Sequence, residues 1–222
     1  MMHRCLAAWA PAMLGVMLLG LNGCGSSPPT RFYILPSLTG TDAAAPTAPR
    51  ELTLGVGPVT LHPYLDRTQI VTRSSRARLV LGEFDQWGAP PRDIIARALA
   101  ENLSLLVPTD RAVLYPWPRT TVPDYQVTVD VTQFDAGPGG EVVLAARWQI
   151  LNANEKELVM RMSRLTAAAG SHEYEATVTA MGRTIDALSR DLAAALQTIA
   201  QQAPQARAGR TRAPGEANDS SR

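Results

Sequence analysis

From Tyr125 to Thr132 the chain alternates Tyr125, Val127, Val129 and Val131 with Gln126, Thr128, Asp130 and Thr132. A strict period of two makes a strand with one face buried and the other wet. Gly137-Pro138-Gly139-Gly140 then turns the chain, and Glu141 to Leu151 returns with Leu144, Ala146, Trp148 and Ile150 on one face. Asn152-Ala153-Asn154-Glu155 turns it again into Glu157 to Leu165, where Leu158, Met160 and Met162 face together. Three strands joined by short turns read as an antiparallel meander. Tyr174 to Ala200 follows as a helix, with Val178, Met181, Ile185, Leu188, Leu192, Leu196 and Ile199 in one seam. Such a seam more often packs on the chain's own sheet than on a partner helix. Glu173 and Glu175 suit its N-terminus, and Asp186 with Arg190 forms an i,i+4 pair.

The first half repeats the plan in shorter pieces. Arg31 to Leu35 reads as a strand ended by Pro36, and Ser37 to Arg50 as a loop. Glu51 to Val59, Gln69 to Thr72 and Ala77 to Glu83 read as strands. Pro90 to Leu106 is a helix, with Ile95, Leu99, Leu103 and Leu106 on its stripe and both prolines in the first turn. Pro108 stops it. From Ala203 to Arg222 periodicity disappears into Pro, Gly, Ala and Arg, which reads as a disordered tail. The expected fold is one α+β domain over residues 31–202, a mainly antiparallel sheet with two long helices packed on one face.

The N-terminus carries a different signal. His3 and Arg4 precede an apolar run from Leu6 to Leu21, and Leu21-Asn22-Gly23-Cys24 closes it. That is the order of a bacterial lipoprotein signal, with cleavage between Gly23 and Cys24 and acylation of the Cys24 sulfur. A membrane-spanning helix needs about 20 apolar residues, and Pro11, Gly15, Gly20 and Asn22 interrupt this run. Residues 1–23 are therefore read as signal and 24–30 as a lipidated spacer. Gly25 to Thr30 reaches about 20 Å at most, so the body stays close to its membrane, on the periplasmic side.

Bulk chemistry narrows the function classes. The 21 basic side chains include Arg4, which leaves with the signal, so 20 remain against 20 acidic ones. A balanced charge gives no argument for nucleic-acid binding. Cys5 leaves with the signal and Cys24 carries lipid, so the body has no thiol for a disulfide or a cysteine metal site. His62 and His172 are too few for a histidine cluster, and neither a metal nor a cofactor is expected.

The motifs that suggest catalysis fall short one by one. Gly55-Val56-Gly57 resembles a dinucleotide loop, yet position 60 is Thr60 and no helix follows, so glycines at a strand end or bulge are favoured. No G-x-S-x-G occurs. Ser171-His172-Glu173 sets three suggestive side chains in a row, a pattern better suited to starting the second helix. Asp85 and Asp93 flank the first helix and read as solvent-facing caps, and Arg67, Arg73, Arg76 and Arg78 read as a solvated basic face in preference to a contact for anionic lipid headgroups or an acidic partner. Trp87-Gly88-Ala89-Pro90-Pro91 is either a core plug at a helix entrance or, through Trp87, Pro90 and Pro91, a docking site for a partner. No catalytic residues are assigned.

Taken in order, several segments resemble one family. They are Cys24-Gly25-Ser26-Ser27, Phe32-Tyr33-Ile34-Leu35-Pro36, Val59-Thr60-Leu61-His62-Pro63-Tyr64-Leu65 and Gln69-Ile70-Val71. Trp87-Gly88-Ala89-Pro90-Pro91, Arg97 to Leu103, Val127 to Phe134, the Trp148 strand and the C-terminal helix complete the set. Together they resemble the auxiliary lipoproteins of ABC-type, MCE-associated transporters. In this chain Gly88 separates Trp87 from Ala89, and Pro91 stands where family members commonly carry Leu.

The resemblance implies a non-catalytic component of an envelope-spanning lipid transport system. It implies an MCE-domain protein of the inner membrane and periplasm as partner, and the outer membrane as the seat of the acyl chains. Gly25 after the lipidated cysteine favours outer-membrane sorting, since Asp there would argue for retention. Docking a multimeric conduit would favour matched symmetry, so a homo-oligomer is among the implied partners. Two other readings compete: a carrier that itself binds phospholipid or lipopolysaccharide, and a regulator of cell-wall synthesis. The carrier needs a wide apolar pocket, and the regulator a longer reach than this spacer gives.

Overall fold

The computed structural model describes residues 27–39, 52–109 and 111–210, with side chains as far as Gln202. Residues 1–26, Gly23 and Cys24 among them, residues 40–51, residue 110 and residues 211–222 lie outside the described residues. The elements run β1 (Arg31–Tyr33), β2 (Thr53–Leu61), β3 (Gln69–Arg73), β4 (Leu79–Trp87), α1 (Pro91–Leu106), β5 (Arg111–Leu114), β6 (Tyr125–Ala136), β7 (Glu141–Asn152), β8 (Glu157–Ala168) and α2 (Tyr174–Arg210). No described helix is long and apolar enough to cross a membrane.

The eight strands make one sheet in the order β1-β4-β3-β6-β2-β5, with β7 on β6 and β8 on β7. The sheet is mixed, which corrects the mainly antiparallel expectation. Four pairings are parallel (β1 with β4, β2 with β5, β2 with β6, β3 with β6) and three antiparallel. The reason is connection length. Antiparallel neighbours can be joined by a tight turn, as in β3–β4, β6–β7 and β7–β8; parallel neighbours need a long crossover. Side-chain alternation reports which face a residue occupies and carries no information on strand direction.

α1 packs on β2 and β5, α2 on β6, β7 and β8, and the helices touch each other. Ile95, Leu99 and Leu103 of α1 share one buried cluster with Met181, Ile185, Leu188 and Leu192 of α2. Val127, Val129 and Val131 of β6 and Leu144, Trp148 and Ile150 of β7 complete it from the sheet. Pro91 sits at the start of α1, as its missing N–H allows, and the Val107 N–H closes the helix on the Leu103 carbonyl.

One strand was not read from the sequence, and several boundaries differ, β4 and α2 most. β5 has four residues between Pro108 and Pro116, too few to show a period. β4 runs on to Trp87, past Glu83. α2 continues to Arg210, beyond Ala203, where a structureless tail was expected to begin. Gln201, Gln202 and Ala203 are good helix formers, so a nucleated helix propagates through them without an apolar stripe to mark it.

The segment after β1 is strapped to both helices. Leu35 and Leu38 are buried, and the Leu38 N–H donates to Asn102 Oδ1 at 2.7 Å. Asn102 Nδ2 in turn donates to Asp186 Oδ1 and Ser189 Oγ of α2. Pro36 lies so close to Gly182 that a Cβ there would stand 2.6 Å from the proline Cγ. Gly182→Ala is therefore expected to destabilise the fold by about 1–3 kcal/mol in urea titration, as overpacking does. Gly139→Ala, where a Cβ meets nothing within 4 Å, is expected to stay within about 0.5 kcal/mol.

Candidate functional site

Trp87 ends β4 with 6% of its surface exposed. With Leu61, Leu65, Val71, Pro91, Ile95 and Phe134 it bounds a cavity of about 10 Å³. Its backbone N–H donates to the Thr68 carbonyl at 2.7 Å. Trp87 is thus the core plug, and Pro91 is buried beside it; of the three docking candidates only Pro90 is exposed. This corrects the exposed-anchor alternative, because a ring packed on α1 and β6 has no face left for a partner.

The two most enclosed carboxylates each hold a cluster together. Asp85, read from sequence as a solvent-facing cap, is buried. It accepts from Arg31 Nε at 2.8 Å, Arg31 Nη2 at 2.9 Å and the Tyr33 hydroxyl at 2.9 Å. Burial, then the bond to Asp85, pushes the Tyr33 phenol up, and the same carboxylate raises Arg31. Asp135 is fully buried and accepts from Tyr64 Oη, Arg73 Nε and Gln133 Nε2. Arg73 also lies over the Tyr64 ring, 5.4 Å from its centroid. The bond to Asp135 holds Arg73 above its ordinary range. Arg73 is therefore committed to the interior, while Arg76 and Arg78 are exposed. The four arginines do not share one face.

The remaining chemical suggestions resolve into structure. Gly55 lies under Trp117 and Pro123, and Gly57, at φ 114°, occupies the irregularity between Val56 and Val59 where β2 pairs with β6. Ser171, His172 and Glu173 are exposed, and Ser171 Oγ accepts the Glu173 N–H at 3.3 Å just before α2 begins. Asp93 is exposed in the first turn of α1. Among the described residues no group of three or more His, Cys, Asp or Glu could hold a metal ion.

What the fold does expose is apolar. β8 turns Val159, Ser163, Leu165 and Ala167 inward and Leu158, Met160 and Met162 outward, Met162 with 69% of its surface exposed. The inward side is pinned: Trp148 Nε1 donates to Ser163 Oγ at 3.0 Å, and Ser163 donates to Asp191 of α2 at 2.8 Å. The row Leu158-Met160-Met162 was legible in sequence as one face; that it is the outer one was not. β1 adds Phe32 and Ile34, on the side opposite Arg31 and Tyr33.

The Asp135 cluster generates a pH prediction. Burial first, then the bond to Asp135, raises the Tyr64 phenol from 10.0 to about 12. A raised acid favours the protonated fold, so this contribution is complete below pH 10 and is lost as pH climbs towards 12. Stability measured by urea titration should therefore fall over that window. Tyr64→Phe should lower the neutral-pH plateau and flatten that fall.

Residues 33–193, well over half the chain, match the family model described as "ABC-type transport auxiliary lipoprotein component". The intermembrane transport lipoprotein PqiC of Escherichia coli (strain K12) is 27% identical over 168 residues, covering 75% of this chain and 86% of that protein. PqiC of Shigella flexneri matches equally. A crystal structure of an uncharacterized protein shares the fold at a TM-score of 0.62 and 20% identity, over 76% of this chain and 99% of that one. Protein XCC0632 from Xanthomonas campestris does so at a TM-score of 0.60 and 14% identity, over 73% and 97%. With β2 to β8, α1, the Asp135 cluster and the first five turns of α2 inside the matched span, this chain belongs to the ABC-type transport auxiliary lipoprotein family.

Proposed function

We propose that the chain is an outer-membrane-anchored lipoprotein facing the periplasm, where it docks the MCE-domain protein of an ABC-type lipid transport system. The carrying observation is the family match across the folded body. The relative PqiC is named for intermembrane transport. In this reading residues 1–23 are removed as signal, Cys24 carries the acyl chains and residues 24–30 link them to the body. One acyl chain binds a membrane only marginally and two signals hold it stably; a triacylated Cys24 anchors firmly.

Two features of the body favour docking over catalysis or lipid carriage. Asp85 and Asp135 are saturated by structural donors, which leaves neither available as a base. The enclosed cavity beside Trp87 holds only about 10 Å³, and the larger hollows, about 380 Å³ beside His172 and about 510 Å³ beside Phe32, are open grooves rather than the deep apolar pocket a lipid carrier needs. The exposed row on β8 is the kind of surface a protein partner covers.

Affinity purification of the membrane-anchored protein, with mass spectrometry of partners and lipid, tests this reading. An MCE-domain protein should be recovered, and lost when Cys24→Ala releases the lipoprotein from its membrane. Met160→Glu with Met162→Glu should cut that recovery several-fold in a protein that still folds. Stoichiometric phospholipid without a protein partner would sink docking and promote the carrier.

A further inference from the structure

Phe32 and Ile34 are 67% and 71% exposed, among the most exposed large apolar side chains described. Nothing in β1 packing requires apolar residues there. Arg31, Tyr33 and Leu35 occupy the inward side, two of them on Asp85 and the third in the core. Phe32, Ile34 and Pro36, with part of Tyr33, line an open groove of about 510 Å³ together with Glu175, Val178 and Thr179 of α2. The groove is open and mainly apolar, with Glu175 and Thr179 the polar members of its lining. It is built on a strand fixed bidentately to Asp85, so its position in the body is rigid.

The occupant follows from where the chain is tied. Phe32 is eight residues after Cys24. Eight residues span about 28 Å when fully extended, and less when slack. Two large apolar side chains held that near a bilayer have an effective local concentration in the millimolar range for the interface. Aromatic and branched side chains partition into that zone. We propose that Phe32 and Ile34 insert into the interface of the membrane that holds the Cys24 acyl chains, and so fix the orientation of the body on it. This rests on the lipoprotein reading above.

The surrounding charges set the character of the contact. Arg31 is held by Asp85, while Glu173 and Glu175 are exposed beside the groove. An attraction to anionic headgroups is thus not the driving force. The contact is apolar, forms on zwitterionic lipid and resists salt, unlike an exposed ion-pair contact.

Acylation of Cys24 leaves the mature chain without a reactive thiol, which makes the test direct. Phe32→Cys and Ile34→Cys each receive an environment-sensitive thiol dye, with Val122→Cys, equally exposed at 67%, as control. The lipidated full chain is placed in phosphatidylethanolamine/phosphatidylglycerol vesicles, with and without doxyl-labelled acyl chains. The expected result is a blue shift and doxyl quenching at positions 32 and 34, absent at 122, unchanged by salt or by protein density on the vesicle. If both dyes stay water-exposed while the unsubstituted protein floats with the vesicles and takes no dye, the insertion is overturned and the lipoprotein reading stands. If the unsubstituted protein takes dye at Cys24, the tether is absent and both fall. A shift that grows with surface density points to a second copy over the patch and overturns insertion.

Discussion

Hydrogen bonding along β6 is the constraint on which the sheet is built. One side of β6 is completed along its length by β7. The other side is shared: β2 pairs with Tyr125 to Val131, and β3 meets it at Thr72 and Ala136 alone. A single ladder residue is a weak attachment for a strand, and the side chains supply what the backbone does not. Asp135, next to Ala136, accepts from Arg73, next to Thr72, and Tyr64 closes the cluster from the β2–β3 connection. Removing Arg73 would leave Asp135 buried and uncompensated, at a cost of about 3–5 kcal/mol, so the clamp fixes where β3 sits on β6 while the β4 ladder carries its backbone pairing.

The same device recurs at the edge. β1 has three residues, and a strand that short has little pairing of its own to resist fraying. Its bond to β4 is reinforced by the Arg31 fork and the Tyr33 hydroxyl on Asp85. Past Pro36 the Leu38 N–H ties the segment to Asn102, and Asn102 ties α1 to α2. On the proposed tether through Cys24, a pull on the body would arrive first at Arg31. The clamps pass that pull to the sheet and to both helices.

These clamps explain what the sequence could and could not disclose. Val127, Val129 and Val131, the α1 stripe and the α2 seam are local patterns with a fixed period, and they are placed where that period puts them. Strand direction at β1, β2 and β3 depends on long crossovers, which leave no local pattern. Asp85 meets Arg31 across 54 positions and Asp135 meets Arg73 across 62, so neither carboxylate looks different from a solvated one in the chain. β8 shows a third limit. It carries apolar residues on both faces, Val159 and Leu165 inward and Leu158, Met160 and Met162 outward. Periodicity alone cannot choose between them; α2 chooses by covering one. Trp87 was the reverse case, since a tryptophan beside two prolines fits a plug or an anchor equally well until packing decides.

The two exposed apolar surfaces sit on different edge strands, and the topology sets their separation. From β1 the path to β8 runs through β4, β3, β6 and β7. Five steps at about 4.8 Å each put the two edges about 24 Å apart across the sheet. If β1 lies against the membrane as proposed, the Leu158-Met160-Met162 row stands about that far from it. A slack tether alone would let the body tumble and bring that row round only part of the time. Seating β1 as proposed would remove those orientations before a partner arrives, so less rotational freedom would be lost on docking and a modest apolar row would suffice for it.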